Sequence, residues 1–390
     1  MGDPMETAEL QQNAPTSAVR VVIAGLLVVM GVCILAFAMT GSNAANKDFV
    51  TYWAAGKQLV RHANPYDAAE ILRLEREAGC KENRPYFMRN PPTSFFLALP
   101  FGLMSEWFAA MLWSLLLVAS LVVSIRMIWV MEGRQAGRLH LIGYIFPPAL
   151  ECLTIGQVGI LLLLGLTGFL YFHKTRPVVA GLSLVLCLVK PHLFLPLGVV
   201  LILWCVQRRS YRILAGIAIG LAGCLLLTQI VDAAAWSQYF QMMREENLKG
   251  EAIPTLSLLF RAAIDLHAGW LQFVPVVLAA GWAVWYFRKA TDWQWNHEGL
   301  LLLTVSVMVA PYVWLTDEAV VLPAILHGIY VLANKGRSLT PFVCIVLPVL
   351  AGVIAGKTMD SWWYVWTSPA WFVFYLYAIR SEPRLVVASV

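Results

Sequence analysis

The chain has 390 residues, of which 59% are hydrophobic and 13% are charged, and its mean hydropathy is +0.69. A soluble globular domain has about 25% charged residues, so this composition excludes an ordinary water-soluble fold and indicates a polytopic membrane protein. The net charge of +5 is modest and the basic residues fall in short connections, a pattern typical of membrane topology and not of a nucleic-acid-binding surface.

The N-terminal region predicts a cytoplasmic tail followed by a first membrane helix. Residues 1–18 are polar and are expected to be disordered, and residues 19–40 are apolar over a length that suffices for one crossing. The apolar run with Ala36-Phe37-Ala38 also resembles a signal peptide and its cleavage site. We favour an uncleaved helix because the run is long and follows an acidic tail. Residues 19–390 are then a single transmembrane domain.

A polar stretch, DFVTYWAAGKQLVRHANPYD, covers residues 48–67 within a first extracytoplasmic loop placed at 42–105. It predicts an aromatic-rich amphipathic helix that lies on the membrane surface. The helix should end before Asn64-Pro65, because a residue that precedes proline avoids the helical conformation. Asp67 is placed to cap a following helix. The apolar run at 91–103 is too short to cross and predicts a re-entrant or interfacial segment.

Further apolar runs bring the expected total to about 11–12 transmembrane helices. One long helix is expected at 106–130, and it is followed by four short runs at 140–155, 157–173, 177–189 and 193–207. Six more helices are expected at 213–231, 269–288, 298–313, 319–333, 340–356 and 362–379. The four short runs fall near or below the roughly 20 residues of a comfortable span. Their polar ends should therefore lie below the membrane surface, around an outward-facing cavity.

The basic residues predict which end of the bundle faces the cytoplasm. Because successive spans cross the membrane in opposite directions, every second connection lies on the same side. The short connections rich in Arg or Lys all fall on one side: 126–138, 174–176, 208–212, 288–289, 335–337 and 380–384. By the positive-inside rule, these connections face the cytoplasm. The opposite, outer end collects the unusual polar residues, and Gly156-Gln157 with Lys190-Pro191-His192 should form the floor of the cavity.

Lys190 is a candidate functional residue because it lies between two apolar half-helices, where an ionisable group is costly. Pro191 breaks the helix, which lets Lys190 and His192 point into the cavity. This pair would suit a phosphate. The alternative is a lysine whose ammonium simply reaches the outer surface.

Asp48 and the segment Arg89-Asn90 are further candidates. On position alone, Asp48 is equally well explained as a helix N-terminal charge or as a functional carboxylate. Arg89 is predicted to bind phosphate and Asn90 a hydroxyl group, with a plain loop as the alternative.

The remaining polar candidates have equally simple alternatives. Gln157 offers an amide to a ligand, or it belongs only to a tight turn. Asp317 and Glu318 follow the aromatic residue Tyr312 at an outer helix end, where they are either solvated or bind sugar hydroxyls at the cavity rim. Glu245 and Glu246 are interpreted as a solvated face.

Five segments, taken in chain order, resemble motifs of glycosyltransferase family 87, also called the domain of unknown function 2029 group. The stretch at 48–67 is similar to the family pattern D-F-x-x-Y-W-x-A-G-x-x-L-x-x-G-x-N-P-Y-D. The other four segments are RNPPTSFFLALPFGLM, TIGQVGILLLLGL, LVKPHLFLPL and VAPYVWLTDEAVVLPAIL. Their order and spacing agree with the family over about residues 20–335.

The resemblance implies a multi-span C-type glycosyltransferase fold in the bacterial plasma membrane, with its active site outside. It implies transfer of a hexose, mannose above all, from a polyprenyl-phosphate sugar to a hydroxyl of a lipid- or glycan-linked acceptor. The lipid-linked sugar is a co-substrate, and no metal or other cofactor is expected. Asp48 matches the acidic catalytic residue of the first extracytoplasmic loop. The expected substrate-binding residues are Tyr52, Asn64, Arg89, Asn90, Gln157, Lys190, His192, Tyr312 and Asp317.

Two other functions are compatible with parts of the sequence. Broken short helices and a lysine near the membrane also suit a transporter or a flippase of lipid-linked sugars. A transporter should show matching breaks in two halves, whereas the breaks here cluster in the middle of the chain. In a non-catalytic subunit of a membrane assembly, Asp48 and Lys190 would each be dispensable.

Overall fold

The computed structural model describes residues 48–133, 137–246, 253, 255–357 and 361–380. Over these ranges the regular secondary structure consists of α-helices and 3-10 helices, with no strand. The predicted tail at 1–18 and the predicted first membrane helix at 19–40 lie outside the described residues. The helical content and the apolar spans confirm an all-α polytopic membrane fold.

The α-helices of the described ranges are numbered in chain order. The loop and the first long span contain α1 (Phe49–Val60), α2 (Ala68–Glu77), α3 (Phe95–Gly102) and α4 (Glu106–Met131). The middle of the chain contains α5 (Pro147–Ile155), α6 (Gly159–Phe172), α7 (Pro177–Ser183), α8 (Leu195–Gln207), α9 (Tyr211–Val231), α10 (Ala235–Glu245) and α11 (Leu256–Ile264). The last part contains α12 (Val274–Lys289), α13 (Glu298–Met308), α14 (Leu322–Asn334), α15 (Thr340–Ile354) and α16 (Thr367–Arg380).

Within the described ranges, four helical segments are long and apolar enough to cross a membrane: Glu106–Met131, Tyr211–Val231, Gly269–Lys289 and Leu315–Asn334. Shorter apolar segments are Gly159–Phe172, Pro177–Val189, Pro191–Gln207, Glu298–Met308 and Thr340–Ile354. The prediction of short, broken runs in the middle of the chain is confirmed. In that region α-helices alternate with the 3-10 segments Leu186–Val189 and Pro191–Phe194.

The helix of the opening loop, α1, lies in the protein core and not on a membrane surface, so the prediction of a surface helix is wrong at this point. Most of its 12 residues are buried. Its small residues allow α3 to pack directly on it: a Cβ added to Gly56 would lie 2.2 Å from the carbonyl oxygen of Ala98. The aromatic face packs as well, because Tyr52 stacks on Trp113 of α4. The helical periodicity of the sequence identified the aromatic side of α1 as apolar. It did not indicate that the side formed by Ala54, Ala55 and Gly56 is buried as well.

The end of α1 and the start of α2 follow the sequence prediction. Helix α1 ends at Val60, and the side chain of Asn64 accepts a hydrogen bond from the backbone N–H of Tyr66 at 2.9 Å. The Asp67 carboxylate caps α2 by accepting from the backbone N–H groups of Ala69 and Glu70, both at 3.0 Å. The amphipathic helix of this loop is α2, whose apolar side faces inward.

The polar candidate residues lie near the first turns of α4, and a basic connection lies near its last turns. Near its first turns, the indole of Trp113 donates to the carbonyl oxygen of Gly156 at 2.8 Å. Near its last turns, Trp129 packs against His140 with ring centroids 5.0 Å apart. Arg208 pairs with Asp292 at 3.5 Å, so the connections that follow α8 and α12 lie next to each other. The arrangement agrees with the prediction that the basic connections share one side.

Glu75 makes the stability of the loop that carries α1 and α2 depend on pH. Its buried carboxylate accepts hydrogen bonds from the backbone N–H of Tyr86, at 3.0 and 3.2 Å. Burial raises the pKa of Glu75 from 4.5 to about 7. The folded protein therefore binds a proton at the Glu75 carboxyl group more tightly than the unfolded chain does. The stabilisation that comes from this tighter proton binding is full below the unfolded pKa of Glu75 and disappears as the pH rises through its folded pKa.

We expect the free energy of unfolding to fall between about pH 4.5 and pH 7 by roughly 3 kcal/mol because of Glu75. Glu75→Gln should remove most of this fall, since the amide remains neutral and still accepts from Tyr86. Denaturant unfolding in detergent across this pH range measures the effect. The matched control is the exposed Glu82→Gln, which should leave the pH dependence unchanged. An unaltered pH profile in Glu75→Gln would contradict the assignment.

Candidate active site

Asp48 stands at the N-terminus of α1 but does not cap that helix through its side chain. Instead, its Oδ2 atom accepts a hydrogen bond from Nε2 of Gln157. Gln157 lies in the break between α5 and α6. Gly156 ends α5 in the left-handed conformation, with φ of 79°, which glycine adopts without strain. A Cβ on Gly156 would come within 2.9 Å of Cβ of Phe49, so this break abuts the start of α1.

Lys190 occupies the break between two 3-10 segments and meets the same glutamine. Pro191 has no backbone N–H and cannot continue the preceding helical turn. The Lys190 ammonium donates to Oε1 of Gln157 at 3.3 Å and to Oδ1 of Asp317 at 2.6 Å. One side chain, Gln157, therefore joins the Asp48 carboxylate to the Lys190 ammonium. The structure thus brings Asp48, Gln157 and Lys190, from three distant parts of the chain, into one region.

Asp317 is the buried partner of Lys190. It belongs to the 3-10 helix Leu315–Val321, its side chain is 1% exposed, and that of Lys190 is 12% exposed. The second oxygen of Asp317 accepts from the backbone N–H of Trp314 at 3.1 Å. The alternative in which Asp317 and Glu318 are solvated is wrong, because both side chains are buried. Removal of one partner from such a buried ion pair leaves an uncompensated charge.

Tyr52 and Asn90 lie behind this cluster and connect its parts. The Tyr52 hydroxyl donates to Oδ1 of Asn90 at 2.7 Å, and the Asn90 amide donates to the carbonyl oxygen of Val189 at 3.0 Å. Both side chains are buried. The Tyr52 ring stacks on Trp113, with centroids 5.1 Å apart. These contacts fix the start of α1 relative to the Lys190 break.

Arg89 and its surroundings differ from the sequence prediction. Its guanidinium pairs with Glu246 at 2.7 Å, and its carbonyl oxygen accepts from the Tyr239 hydroxyl at 3.3 Å. The interpretation of Glu246 as part of a solvated face is therefore wrong for this residue, which is only partly exposed. The pairing joins residues more than 150 positions apart in the chain, so no local sequence pattern indicates it.

The remaining predicted binding residues, His192, Tyr312 and Asn64, contact other neighbours. The ring of His192 packs edge-on against Tyr312, with centroids 6.1 Å apart. Tyr312 in turn contacts Phe273 at 6.0 Å. Asn64 forms the turn after α1, and none of the described hydrogen bonds joins it to Gln157 or Lys190.

Opposing influences act on the charge of Asp48. Burial raises the pKa of its carboxyl group, while the hydrogen bond from Gln157 and the charge of Lys190 lower it. Its Oδ2 atom is held by Gln157, and among the described residues no hydrogen bond involves Oδ1. The Lys190 ammonium has three donors, and two of them are used by Gln157 and Asp317. The cluster thus combines an available carboxylate oxygen with an available ammonium donor.

The family model of glycosyltransferase family 87 matches residues 87–316, more than half of the chain. The chain belongs to glycosyltransferase family 87. No curated protein and no solved structure matches it. The range that matches family 87 includes Gln157 and Lys190, whereas Asp48 lies before it and Asp317 directly follows it. The resemblance found in the sequence is confirmed.

Family 87 membership, together with the apolar spans, makes this chain a membrane glycosyltransferase. An enzyme that transfers a sugar needs a proton acceptor for the attacking hydroxyl and a group that stabilises the leaving group. Asp48 and Lys190 are suited to these two tasks by chemistry and by their shared contact with Gln157. The transporter and assembly-subunit alternatives have no comparable support from family 87.

Sequence reasoning missed Trp113 and did not identify the partners of Glu318. Trp113 packs against both Tyr52 and Phe49 and also binds the Gly156 carbonyl oxygen. It is one of several aromatic residues in a predominantly apolar helix, and no periodic signal distinguishes it from the others. Glu318 was grouped with Asp317, although their side chains bind different partners. The position of Asp317 and Glu318 in an otherwise apolar segment was the one sequence feature that could have indicated that both carboxyl groups need partners inside the protein.

The Lys190–Asp317 pair should dominate the stability of this region. We expect Lys190→Met and Asp317→Leu each to lower the free energy of unfolding by about 3–5 kcal/mol, because each leaves a buried charge without its partner. The double variant should lose much less than the sum of the two changes. Denaturant unfolding of the four proteins in detergent gives this coupling free energy.

A surface pair provides the control for this measurement. Arg208 and Asp292 have side chains that are 51% and 71% exposed, so Arg208→Ala should cost no more than about 1 kcal/mol. Additive losses in the Lys190 and Asp317 variants would contradict a direct buried interaction.

Proposed function

We propose that this family 87 enzyme transfers a hexose, mannose in particular, from a polyprenyl-phosphate sugar to an acceptor hydroxyl. The acceptor is a lipid or a glycan carried by a lipid, and the reaction takes place at the outer face of the bacterial plasma membrane. The observation that supports this proposal most strongly is that Asp48 and Lys190 bind the same amide group. Asp48 accepts from Nε2 of Gln157, and Lys190 donates to its Oε1. The separation of the cluster from the basic connections supports an outward-facing site.

In the proposed reaction, the acceptor oxygen forms a bond to the anomeric carbon of the sugar. The bond between that carbon and the phosphate oxygen breaks, and its electron pair leaves with the phosphate. The hydroxyl proton passes to Oδ1 of Asp48, which acts as general base. Such proton transfer typically contributes about 10²–10⁴-fold to the rate. Burial, by raising the pKa of this carboxyl group, favours the proton-bound product of the step.

Lys190 supplies the positive charge for the leaving phosphate through its third donor. Asp317 takes a different role from the predicted one, since its oxygens already bind Lys190 and Trp314. It holds the ammonium in place, while Gln157 sets its distance from Asp48. A fixed cation stabilises charge that develops during the reaction without first having to reorganise.

The aromatic side chains beside Lys190 support a lipid-linked donor. From His192, ring contacts continue through Tyr312 to Phe273, which is 42% exposed on the apolar surface. A polyprenyl chain requires an apolar route of this kind from the phosphate site to the lipid. Arg89 and Asn64 lie nearer the loop surface and remain predicted contacts for the substrate headgroups. Tyr52 and Asn90, being buried, contribute by supporting the site.

We expect Asp48→Asn to reduce transfer by about 10²–10⁴-fold, because the amide cannot accept the hydroxyl proton at neutral pH. The measurement uses purified enzyme with radiolabelled polyprenyl-phosphate mannose and membrane lipid acceptors. Thermal unfolding should remain close to that of the wild type, since asparagine preserves the size of the side chain.

Asp67→Asn is the matched control for this experiment. It lies in the same loop, and asparagine caps a helix as well as aspartate does. This variant should keep full activity. An Asp48→Asn enzyme that transfers sugar at the rate of the control would rule out the general base.

Gln157 allows a pH test of the same proposal. The Gln157 hydrogen bond favours ionised Asp48, and its loss in Gln157→Leu should raise the pKa of that carboxyl group. Since the base must be ionised, activity rises with pH through this pKa. The acidic limb of the kcat/KM profile should therefore move to higher pH in the variant. A lower rate with an unmoved acidic limb would show that Gln157 does not act through Asp48.

A further inference from the structure

Glu318 is a second buried carboxyl group directly beside Asp317, and its side chain binds a different part of the fold. It is 3% exposed. One of its oxygens lies 2.6 Å from the Thr367 hydroxyl, and the other accepts from the Trp371 indole at 2.9 Å. Both partners belong to the last helix, α16. Across the described ranges no lysine, arginine or histidine forms an ion pair with Glu318.

The hydrogen bonds around Thr367 indicate where the protons lie. Its hydroxyl oxygen is 2.6 Å from the carboxyl oxygen of Glu318 and also 2.6 Å from the carbonyl oxygen of Tyr364. A threonine hydroxyl has one proton to donate, and a carbonyl oxygen can only accept. If the Thr367 proton goes to Tyr364, the short contact with Glu318 requires a proton on the glutamate. A protonated Glu318 satisfies both contacts, whereas an ionised one leaves one of them without a proton.

The charges nearby favour the same state. Asp317 already neutralises Lys190, so an ionised Glu318 would be a second negative charge without a cation. An isolated ionised carboxylate in a low-dielectric interior is costly enough that the group binds a proton instead. A neutral carboxylic acid can still donate to Thr367 and accept from Trp371.

We propose that Glu318 is held as a neutral carboxylic acid and acts as a positioning residue for the Lys190–Asp317 pair. It ties the 3-10 helix Leu315–Val321 to α16. On another side, the thiol of Cys152 lies 3.1 Å from the carbonyl oxygen of Thr316 and packs this segment against α5. With the segment fixed on both sides, Asp317 holds the ammonium at its place beside Gln157. The kinetic part of this inference rests on the proposed sugar transfer, but the protonation state does not.

Infrared spectroscopy tests the protonation state directly. The difference spectrum between the wild type and Glu318→Gln at pH 7 should contain the carbonyl band of a protonated carboxylic acid. The control Glu82→Gln, at an exposed residue of the outer loop, should instead remove only carboxylate bands. Carboxylate bands in the Glu318→Gln difference spectrum would overturn the proposal, whatever the enzyme transfers.

Kinetics test the positioning role. Glu318→Gln should retain kcat within about twofold, because a neutral amide keeps one donor and one acceptor for Thr367 and Trp371. Glu318→Leu leaves both partners without a hydrogen bond, and misplacement of the Lys190–Asp317 pair should lower kcat by up to about 100-fold with a smaller change in KM.

The outcomes separate the two proposals. If Glu318→Leu fails to fold, Trp371→Phe provides a milder variant, which removes only the indole donor and should lower kcat more than it changes KM. Equal losses in Glu318→Gln and Glu318→Leu would show that the negative charge itself is needed and would overturn the inference. A wild-type enzyme without sugar transfer would count against the proposed function, while the infrared result would still decide the state of Glu318.

Discussion

The buried ion pair between Lys190 and Asp317 is the interaction on which the site depends. It joins two breaks in the helical bundle, one before Pro191 and one in the 3-10 helix Leu315–Val321. An ammonium at 12% exposure is tolerable only with a carboxylate beside it. Once Lys190 is fixed, Gln157 has a partner on one side and can present its amide to Asp48 on the other. The Asp48 carboxylate, the proposed general base, is thus oriented by Gln157 and Lys190 rather than by its own helix.

The broken helices explain how these residues reach one place. Irregular backbone inside a membrane protein requires partners within the protein, because lipid offers none. Here the break after α5 supplies Gln157, and its Gly156 carbonyl oxygen binds Trp113. The break at Lys190 is held by Asn90 through the Val189 carbonyl oxygen. Each break therefore provides a candidate side chain and has one of its carbonyl oxygens bound by a side chain from the loop or from a neighbouring helix.

Local chemistry made much of this structure predictable from the sequence. Asn64-Pro65, Asp67 and Pro191 act on their immediate neighbours, and the structure follows the expectation at each of them. The pairing of Arg89 with Glu246 and the burial of Asp317 depend instead on residues that are distant in the chain. Hydropathy also cannot distinguish a surface helix from one that packs through glycine and alanine, and for this reason α1 was misplaced. The candidate residues were found, but several of their partners were not.

The proposed reaction accounts for a lysine that is already paired with a carboxylate. Before that reaction, ionised Asp48 and the proposed donor phosphate diester would each contribute one negative charge, and Asp317 cancels Lys190. As the acceptor proton moves to Asp48, that carboxyl group becomes neutral and the departing phosphate gains a negative charge. Negative charge therefore moves from one side of Gln157 to the other, toward Lys190. A second ionised carboxylate at Glu318 would oppose this movement, which gives its neutral form a role in the reaction as well as in the fold.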